Sequence, residues 1–186
     1  NTKTRINEIL PYVGRNKVLD YGCGKGSFLR KLSYIIGKEN CTAIEKASSA
    51  RNDLQTFGIN SFESLTEIKE QHSLICCFHV LEHLDYPELF LQEAYEILSQ
   101  TNGYLIIEVP HANDPMIALY KNEAFIKHTL WSQHLILHTI ESLKRLINFA
   151  GFKQVNIIHK QRYPLSNHLN WLIKGTPGGH KSHLAL

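Results

Sequence analysis

The first chemical signal in this chain is an acid followed by three glycines at alternate positions: Asp20, Gly22, Gly24 and Gly26. The apolar residues before Asp20 predict a buried strand, and those from Phe28 onwards recur at helical spacing. Strand, glycine turn and helix predict a nucleotide-type binding corner, because glycines let the backbone approach a ligand where a Cβ would collide. We expect the carboxylate to attract a cationic ligand tail and to repel a pyrophosphate.

A second acid, Glu45, follows a short apolar strand signal 25 residues beyond Asp20. In α/β nucleotide-binding folds, an acid at the end of the second strand accepts hydrogen bonds from ribose hydroxyls. We therefore predict that Glu45 is a ribose ligand; a surface acid at a helix N-terminus is the alternative interpretation. Ser27 stands where a dinucleotide fingerprint has its third glycine, and this disfavours a nicotinamide-dependent oxidoreductase.

Two stretches, 20–26 and 78–84, carry a resemblance to a known family. The first, Asp-Tyr-Gly-Cys-Gly-Lys-Gly, resembles motif I of the class I S-adenosylmethionine (SAM) methyltransferases. The second, Phe-His-Val-Leu-Glu-His-Leu, is similar to the segment after the fourth strand in many of these enzymes, where the first residues contact the methionine end of SAM. The resemblance implies SAM as cofactor and S-adenosylhomocysteine (SAH) as product. The cofactor-binding residues that it implies are Asp20, Tyr21, Gly22, Cys23, Gly24, Gly26, Glu45, Lys46, His79, Val80 and Leu81.

The alternation of strand and helix signals predicts an α/β fold, a Rossmann-like doubly wound parallel sheet of the class I methyltransferase type. We predict one domain over residues 1–186, with a lid insertion after the fifth strand and an atypical C-terminal segment. Its parts are an N-terminal helix (1–14), a cofactor-binding core (17–110), an acceptor lid (111–137), and a C-terminal helix, strand (152–158) and tail (138–186).

Methyl transfer to a hydroxyl benefits from a nearby base, and histidine suits this role at neutral pH. The chain has eleven histidines, of which His134 is the first candidate, followed by His111 and His79. For Glu82 and His83, acid–base chemistry and bracing of the next helix both remain open. Histidine and cysteine show no metal-ligand spacing, so the sequence predicts no metal site.

Further similarity concerns the acceptor. The residues 108–110, 131–135 and 150–152 look like a broad group of small bacterial SAM methyltransferases associated with sugar, polysaccharide and secondary-metabolite pathways. This favours a small-molecule acceptor, most simply a hydroxyl of a sugar or metabolite. Methylation of nucleobase amino groups is disfavoured, because His-Val-Leu-Glu stands where those enzymes carry Asn/Asp-Pro-Pro-aromatic. A non-catalytic SAM-fold module that serves as a partner protein is the alternative function.

Composition agrees with an ordinary globular domain, at 43% hydrophobic and 20% charged residues with a net charge of +3. The basic residues are scattered over predicted helix faces, so we expect no nucleic-acid partner. Four cysteines without a Cys-x-x-Cys pair predict core thiols in a reducing compartment, and we expect a cytoplasmic protein. No apolar run reaches membrane-spanning length.

Overall fold

A five-stranded parallel sheet forms the centre of the molecule. The computed structural model describes residues 2–14, 17–130, 134–161 and 163–178. The strands are β1 (Lys17–Tyr21), β2 (Cys41–Ile44), β3 (Asn60–Phe62), β4 (His72–Phe78) and β5 (Tyr104–Glu108). Their order is β3-β2-β1-β4-β5, with every neighbouring pair parallel. The order reverses direction between β1 and β4, which is where doubly wound sheets open a ligand crevice.

Eight α-helices are described around this sheet. They are α1 (Thr2–Ile9), α2 (Ser27–Ile36), α3 (Ser48–Phe57), α4 (Pro87–Ser99), α5 (Pro115–Ala118), α6 (Glu123–Thr129), α7 (Ile140–Phe149) and α8 (Leu165–Lys174). Short 3-10 turns lie at Leu10–Tyr12, Lys38–Asn40, Leu65–Glu67 and Leu81–His83. None of the described helices has the length and hydropathy needed to cross a bilayer.

Each face of the sheet is covered by its own apolar cluster. On one face, α1, α2 and α3 contribute Ile6, Leu29 and Leu54 against the inward side chains of β1 and β4. On the other face, α4 contributes Phe90 and Leu91, with α7 packed alongside. Burial on both faces explains why residues 74–78 of β4 are a continuous apolar run in the sequence, as expected for a central parallel strand.

The cysteines belong to this core or to its edge, as predicted. Cys41, Cys76 and Cys77 are buried, Cys23 is half-buried, and all four are free thiols. Burial raises the pKa of Cys23 and of Cys41 to about 12. These thiols are therefore protonated at neutral pH and are poor nucleophiles.

Three regions differ from the sequence predictions. Residues 152–158 were predicted as a strand. They form none, because they pair with none of the described strands. The predicted lid loop contains the short helices α5 and α6, each begun by a side-chain cap from Asp114 or Asn122. The atypical C-terminal segment forms α8, a helix that the sequence analysis did not predict, which ends at the left-handed Gly175.

Candidate active site

The glycine turn after β1 has the backbone that its sequence predicts. Gly22, Gly24 and Gly26 have φ angles of 69°, 55° and 67°, in the left-handed region that favours glycine. A Cβ on Gly22 would lie 2.5 Å from Cγ2 of Val80, whereas a Cβ on Gly24 would meet nothing within 4 Å. The turn is therefore packed against the segment after β4 on one side and open on the other.

Asp20 lies at the end of β1, directly beneath this turn. Its side chain is buried, and burial raises its pKa to about 8, although the positive charge of Arg5 acts to lower it. The carboxyl group is therefore largely neutral at pH 7 in the cofactor-free protein. A cationic group brought close to it would favour the charged form, since an opposite charge lowers the pKa of a carboxyl group.

Glu45 follows β2 and reaches across to the glycine turn. Its Oε2 accepts a hydrogen bond of 2.8 Å from the Gly24 amide, and its Oε1 accepts one of 3.0 Å from the Ala47 amide. A carboxylate has about four lone-pair positions. Two amides use two of these, so the carboxylate is held in place and can still accept hydrogen bonds from two ligand hydroxyls.

A chain of charged groups runs along the ends of β4 and β5. The Arg5 guanidinium donates two hydrogen bonds to the Glu108 carboxylate, at 2.7 and 2.8 Å. Glu108 Oε1 lies 2.8 Å from Nε2 of His79, whose Nδ1 lies 3.3 Å from Oε1 of Glu82. His79 has a φ of 57°, an uncommon backbone conformation for a residue with a Cβ.

This row of neighbouring charged groups fixes the charge state of Glu108. Burial acts to raise the pKa of this carboxyl group, but hydrogen bonds from His79 and Arg5 outweigh it and hold the pKa well below its usual range. Glu108 is therefore a carboxylate at any physiological pH. It secures α1 to the sheet and holds one side of the His79 ring.

The segment after α6 returns to the same edge of the sheet. The amides of Leu135 and Ile136 both donate to the backbone carbonyl of Glu82, at 2.8 and 3.3 Å. The neighbouring His134 ring then lies against the His83 ring, with 4.7 Å between ring centroids. Thus a histidine of the predicted lid reaches the segment after β4.

His111, the second candidate base, belongs to a separate group of histidines. It forms an isolated bridge with His138, and its ring lies 5.3 Å from that of His159. His138 is buried, and burial lowers its pKa while the charge of Glu82 acts to raise it. His138 is the bridging partner of His111 within this second group of histidines.

A methyltransferase-domain family model matches residues 3–157, which include the whole sheet and its glycine turn. The chain belongs to the SAM-dependent methyltransferases. Its cofactor is SAM and its product is SAH. No curated protein matched the chain in a sequence comparison.

Solved structures agree with this methyltransferase assignment. A SAM-dependent methyltransferase from Archaeoglobus fulgidus is 26% identical, with a TM-score of 0.62 over 81% of this chain and 67% of that one. A Thermotoga maritima protein described as a possible histamine N-methyltransferase is 16% identical, with a TM-score of 0.60 over 82% and 71%. The plantazolicin methyltransferase in complex with SAH is 14% identical, with a TM-score of 0.59 over 81% and 62%. The last two likenesses show the fold alone.

In this methyltransferase, the eleven residues predicted to bind the cofactor lie at the carboxyl ends of β1, β2 and β4. Not all of them offer a side chain to the crevice. Leu81 is fully buried in the core, and Tyr21 packs against Phe90 with 4.2 Å between ring centroids. Lys46 is exposed to solvent.

Arg5 and Glu108 were absent from the predicted site, although both belong to the row of charged groups at the ends of β4 and β5. They lie 103 positions apart, and no local spacing in the sequence links them. Glu82 and His83 were named without a fixed role, and the approach of His134 to them depends on a return of the chain over fifty residues later. For Glu82 and His83, the only signal in the sequence was the presence of an acid and a base directly after a predicted strand.

Proposed function

We propose that this methyltransferase transfers the methyl group of SAM to a hydroxyl oxygen of a small molecule, such as a sugar or another metabolite. The observation that supports this proposal is the docking of segment 134–136 on the Glu82 carbonyl. It brings a histidine to the edge of the sheet at which α/β folds bind ligands. A base that titrates near neutral pH suits a hydroxyl acceptor.

The cofactor contacts follow from the geometry of the glycine turn. Asp20 would attract the cationic amino group of the methionine part of SAM, and Glu45 would accept hydrogen bonds from the ribose hydroxyls. The backbone of the turn (Tyr21, Gly22, Cys23, Gly24, Gly26) would border the ligand, since Gly24 faces open space. The segment after β4, at His79, Val80 and Leu81, would line the methionine end, Leu81 through its backbone alone.

The reaction is an in-line displacement at the methyl carbon. The acceptor oxygen forms a bond to this carbon while the carbon–sulfur bond breaks, and the bonding electrons stay on sulfur to give SAH. The hydroxyl proton passes to a base. Holding the two reactants in line can supply about 7–11 kcal/mol of the barrier reduction, so the protein needs little chemistry of its own beyond positioning and proton removal.

His134 is our first candidate for the group that assists proton removal. His79 is less available, because both of its ring nitrogens lie within hydrogen-bonding distance of a carboxylate. His111 lies with His138 and His159, and no described contact joins it to the Glu82 segment. Four free thiols, three of them buried, fit a reducing compartment, and we place the protein in the cytoplasm.

The cofactor site is tested by calorimetric titration of SAM and SAH into the wild type and the variants Asp20→Ala and Glu45→Ala. We expect saturable binding by the wild type and a loss of at least about tenfold in affinity in both variants, as one lost charged hydrogen bond of about 1.5–3 kcal/mol predicts. Glu96→Ala, an exposed acid on α4, is the control and should bind as the wild type does. A folded wild type that binds neither ligand would overturn the proposal.

The acceptor side is tested with a panel of sugars and hydroxylated metabolites, using SAH release as the readout. In the active combination, we expect His134→Ala to keep its affinity for SAM and to lose at least about tenfold in turnover, the lower range for a lost acid–base group. Full activity in this variant would remove His134 from the reaction. SAM binding without transfer to any hydroxyl acceptor would favour a binding module or another acceptor class.

A further inference from the structure

Three side chains with metal-ligating atoms converge beside the cofactor crevice. One ligand atom each of Glu82, His83 and His134 lies within 4.8 Å of the other two. Two backbone hydrogen bonds from segment 135–136 to the Glu82 carbonyl hold the two contributing segments together. The cluster therefore depends on ordered backbone and does not consist of mobile surface side chains.

Glu82 is the unusual member of this cluster, which we call the Glu–His–His cluster. Its side chain is 1% exposed, and its Oε2 accepts no hydrogen bond from any described residue. Its Oε1 lies 3.3 Å from the His79 ring, which orients the carboxylate. A buried carboxylate oxygen without a hydrogen bond is costly, and coordination of a cation is one of the few arrangements that remove this cost.

We propose that the Glu–His–His cluster binds one divalent transition-metal ion. Two imidazoles and one carboxylate suit Zn²⁺, Fe²⁺, Co²⁺ or Mn²⁺ better than Mg²⁺ or Ca²⁺, which prefer oxygen ligands. Metal–nitrogen bonds of about 2.0–2.1 Å place neighbouring ligand atoms about 3–3.5 Å apart. Because no pair of these atoms is more than 4.8 Å apart, coordination would require each pair to close by at most about 2 Å.

Three protein ligands leave at least one coordination position open. His83 and His134 are each partly exposed, so this position would be accessible from solvent. Here the inference rests on the proposed function: an acceptor hydroxyl bound to the ion would lose its proton to solvent water more readily, because a metal ion lowers the pKa of a bound hydroxyl. His134 would then act as a ligand and would not itself take the proton.

His79 and Glu108 would form the outer layer of such a site. His79 lies between the Glu82 and Glu108 carboxylates, and Arg5 holds Glu108 from the other side. Groups that orient a ligating carboxylate in this way tune metal affinity by about 10–100-fold. The long charged chain from α1 therefore ends on a metal ligand.

The test uses the full chain, stripped of metal with a chelator, and titrates it with Co²⁺ and then Zn²⁺ in the absence of SAM. Visible d–d absorption reports Co²⁺ coordination, and calorimetry gives affinity and stoichiometry. We expect one ion per chain and a loss of at least about tenfold in affinity in both His83→Ala and His134→Ala. His128→Ala removes an exposed histidine of α6 and should bind Co²⁺ as the wild type does. The two histidine variants carry the test, because a change at the buried Glu82 could itself unfold the protein.

Two outcomes separate this inference from the proposed function. Absence of Co²⁺ and Zn²⁺ binding by a stripped protein that still binds SAM would overturn the metal site and leave the methyltransferase proposal intact. Equal Co²⁺ affinity in His83→Ala, His134→Ala and the wild type would also overturn it. If the ion binds as expected, SAM affinity should be the same with and without chelator, while any hydroxyl transfer should fall at least about tenfold with chelator and return when Zn²⁺ or Mn²⁺ is added.

Discussion

In the cofactor-free protein, the burial of Asp20 disfavours the negative charge that a carboxyl group needs to attract a cation. It is a carboxyl group with 4% of its surface exposed, and it lies at the point where the glycine turn would receive a cationic ligand. Burial raises its pKa from 3.8 to about 8. The carboxyl group is therefore largely uncharged at neutral pH in the cofactor-free protein.

The raised pKa of Asp20 predicts a pH dependence of folding. Because the folded protein holds this proton more tightly than the unfolded chain, the stabilisation is complete below pH 3.8 and is lost as the pH rises towards about 8. Over this window Asp20 should contribute a fall of up to about 1.4 kcal/mol per pH unit in the free energy of unfolding. Urea denaturation of the cofactor-free protein at a series of pH values measures it.

The matched variants are Asp20→Asn and Asp53→Asn. Asparagine at position 20 cannot ionise, so its contribution to the slope should disappear, and the variant should gain stability relative to the wild type as the pH rises. Asp53 is exposed on α3, and its replacement should leave the slope unchanged. Equal slopes in the wild type and Asp20→Asn would show that this carboxyl group titrates normally.

At the scale of elements, helix α1 is held to the sheet by apolar contacts and by one ion pair. Ile6 and Ile9 are buried in the cluster on one face of the sheet, and Arg5 reaches the end of β5 through Glu108. A second ion pair joins Glu8 of the same helix to Lys160, but both side chains are largely exposed. The two pairs therefore differ in burial while they tether the same helix.

We predict that Arg5→Met lowers the free energy of unfolding by about 1 kcal/mol at pH 7, the upper end for pairs with solvent access, because the contact is bidentate. Lys160→Met, the control, should change it by less than about 0.5 kcal/mol. The lowered pKa of Glu108 means that its stabilisation is present above its ordinary value of 4.5 and is lost as the pH falls below it. The Arg5→Met effect should therefore shrink in acid; denaturation curves at neutral and acid pH would show it, and an undiminished effect would contradict it.

At the scale of the whole molecule, cofactor binding should raise the free energy of unfolding. A ligand present at 100 times its dissociation constant stabilises the folded state by about 2.7 kcal/mol. In a chain of this size, that corresponds to a rise in Tm of about 5–10 °C. Thermal unfolding with SAM or SAH measures it, and ATP is the control because it lacks the cationic amino group that we propose Asp20 to attract. A Tm unchanged by saturating SAM would contradict the cofactor site.

Local residue types predicted much of the fold and the backbone of the glycine turn. The left-handed turn at Gly22 and Gly24 follows from residue type alone, and the position of Glu45 follows from the strand before it. Both features are local, so an alternation of strand and helix signals is enough to place them.

Features that depend on distant pairing could not be predicted in this way. Strand formation at 152–158 requires a ladder partner, and an apolar pattern does not say whether one is present. The approach of His134 to Glu82 and the pairing of Arg5 with Glu108 both depend on how the finished fold brings remote segments together. Helix α8, which begins after Pro164 and ends at Gly175, was not predicted within the atypical C-terminal segment.

The carbonyl oxygen of Glu82 accepts hydrogen bonds of 2.8 and 3.3 Å from the amides of Leu135 and Ile136, and these bonds dock segment 134–136. These two amides can exchange their hydrogens for deuterium only when the segment leaves the edge of the sheet. Their exchange rate therefore reports how often segment 134–136 leaves the Glu82 carbonyl. If the acceptor binds where we propose, a compound that holds this segment closed would slow the exchange of these two amides, and exchange would then identify acceptors without any methyl transfer.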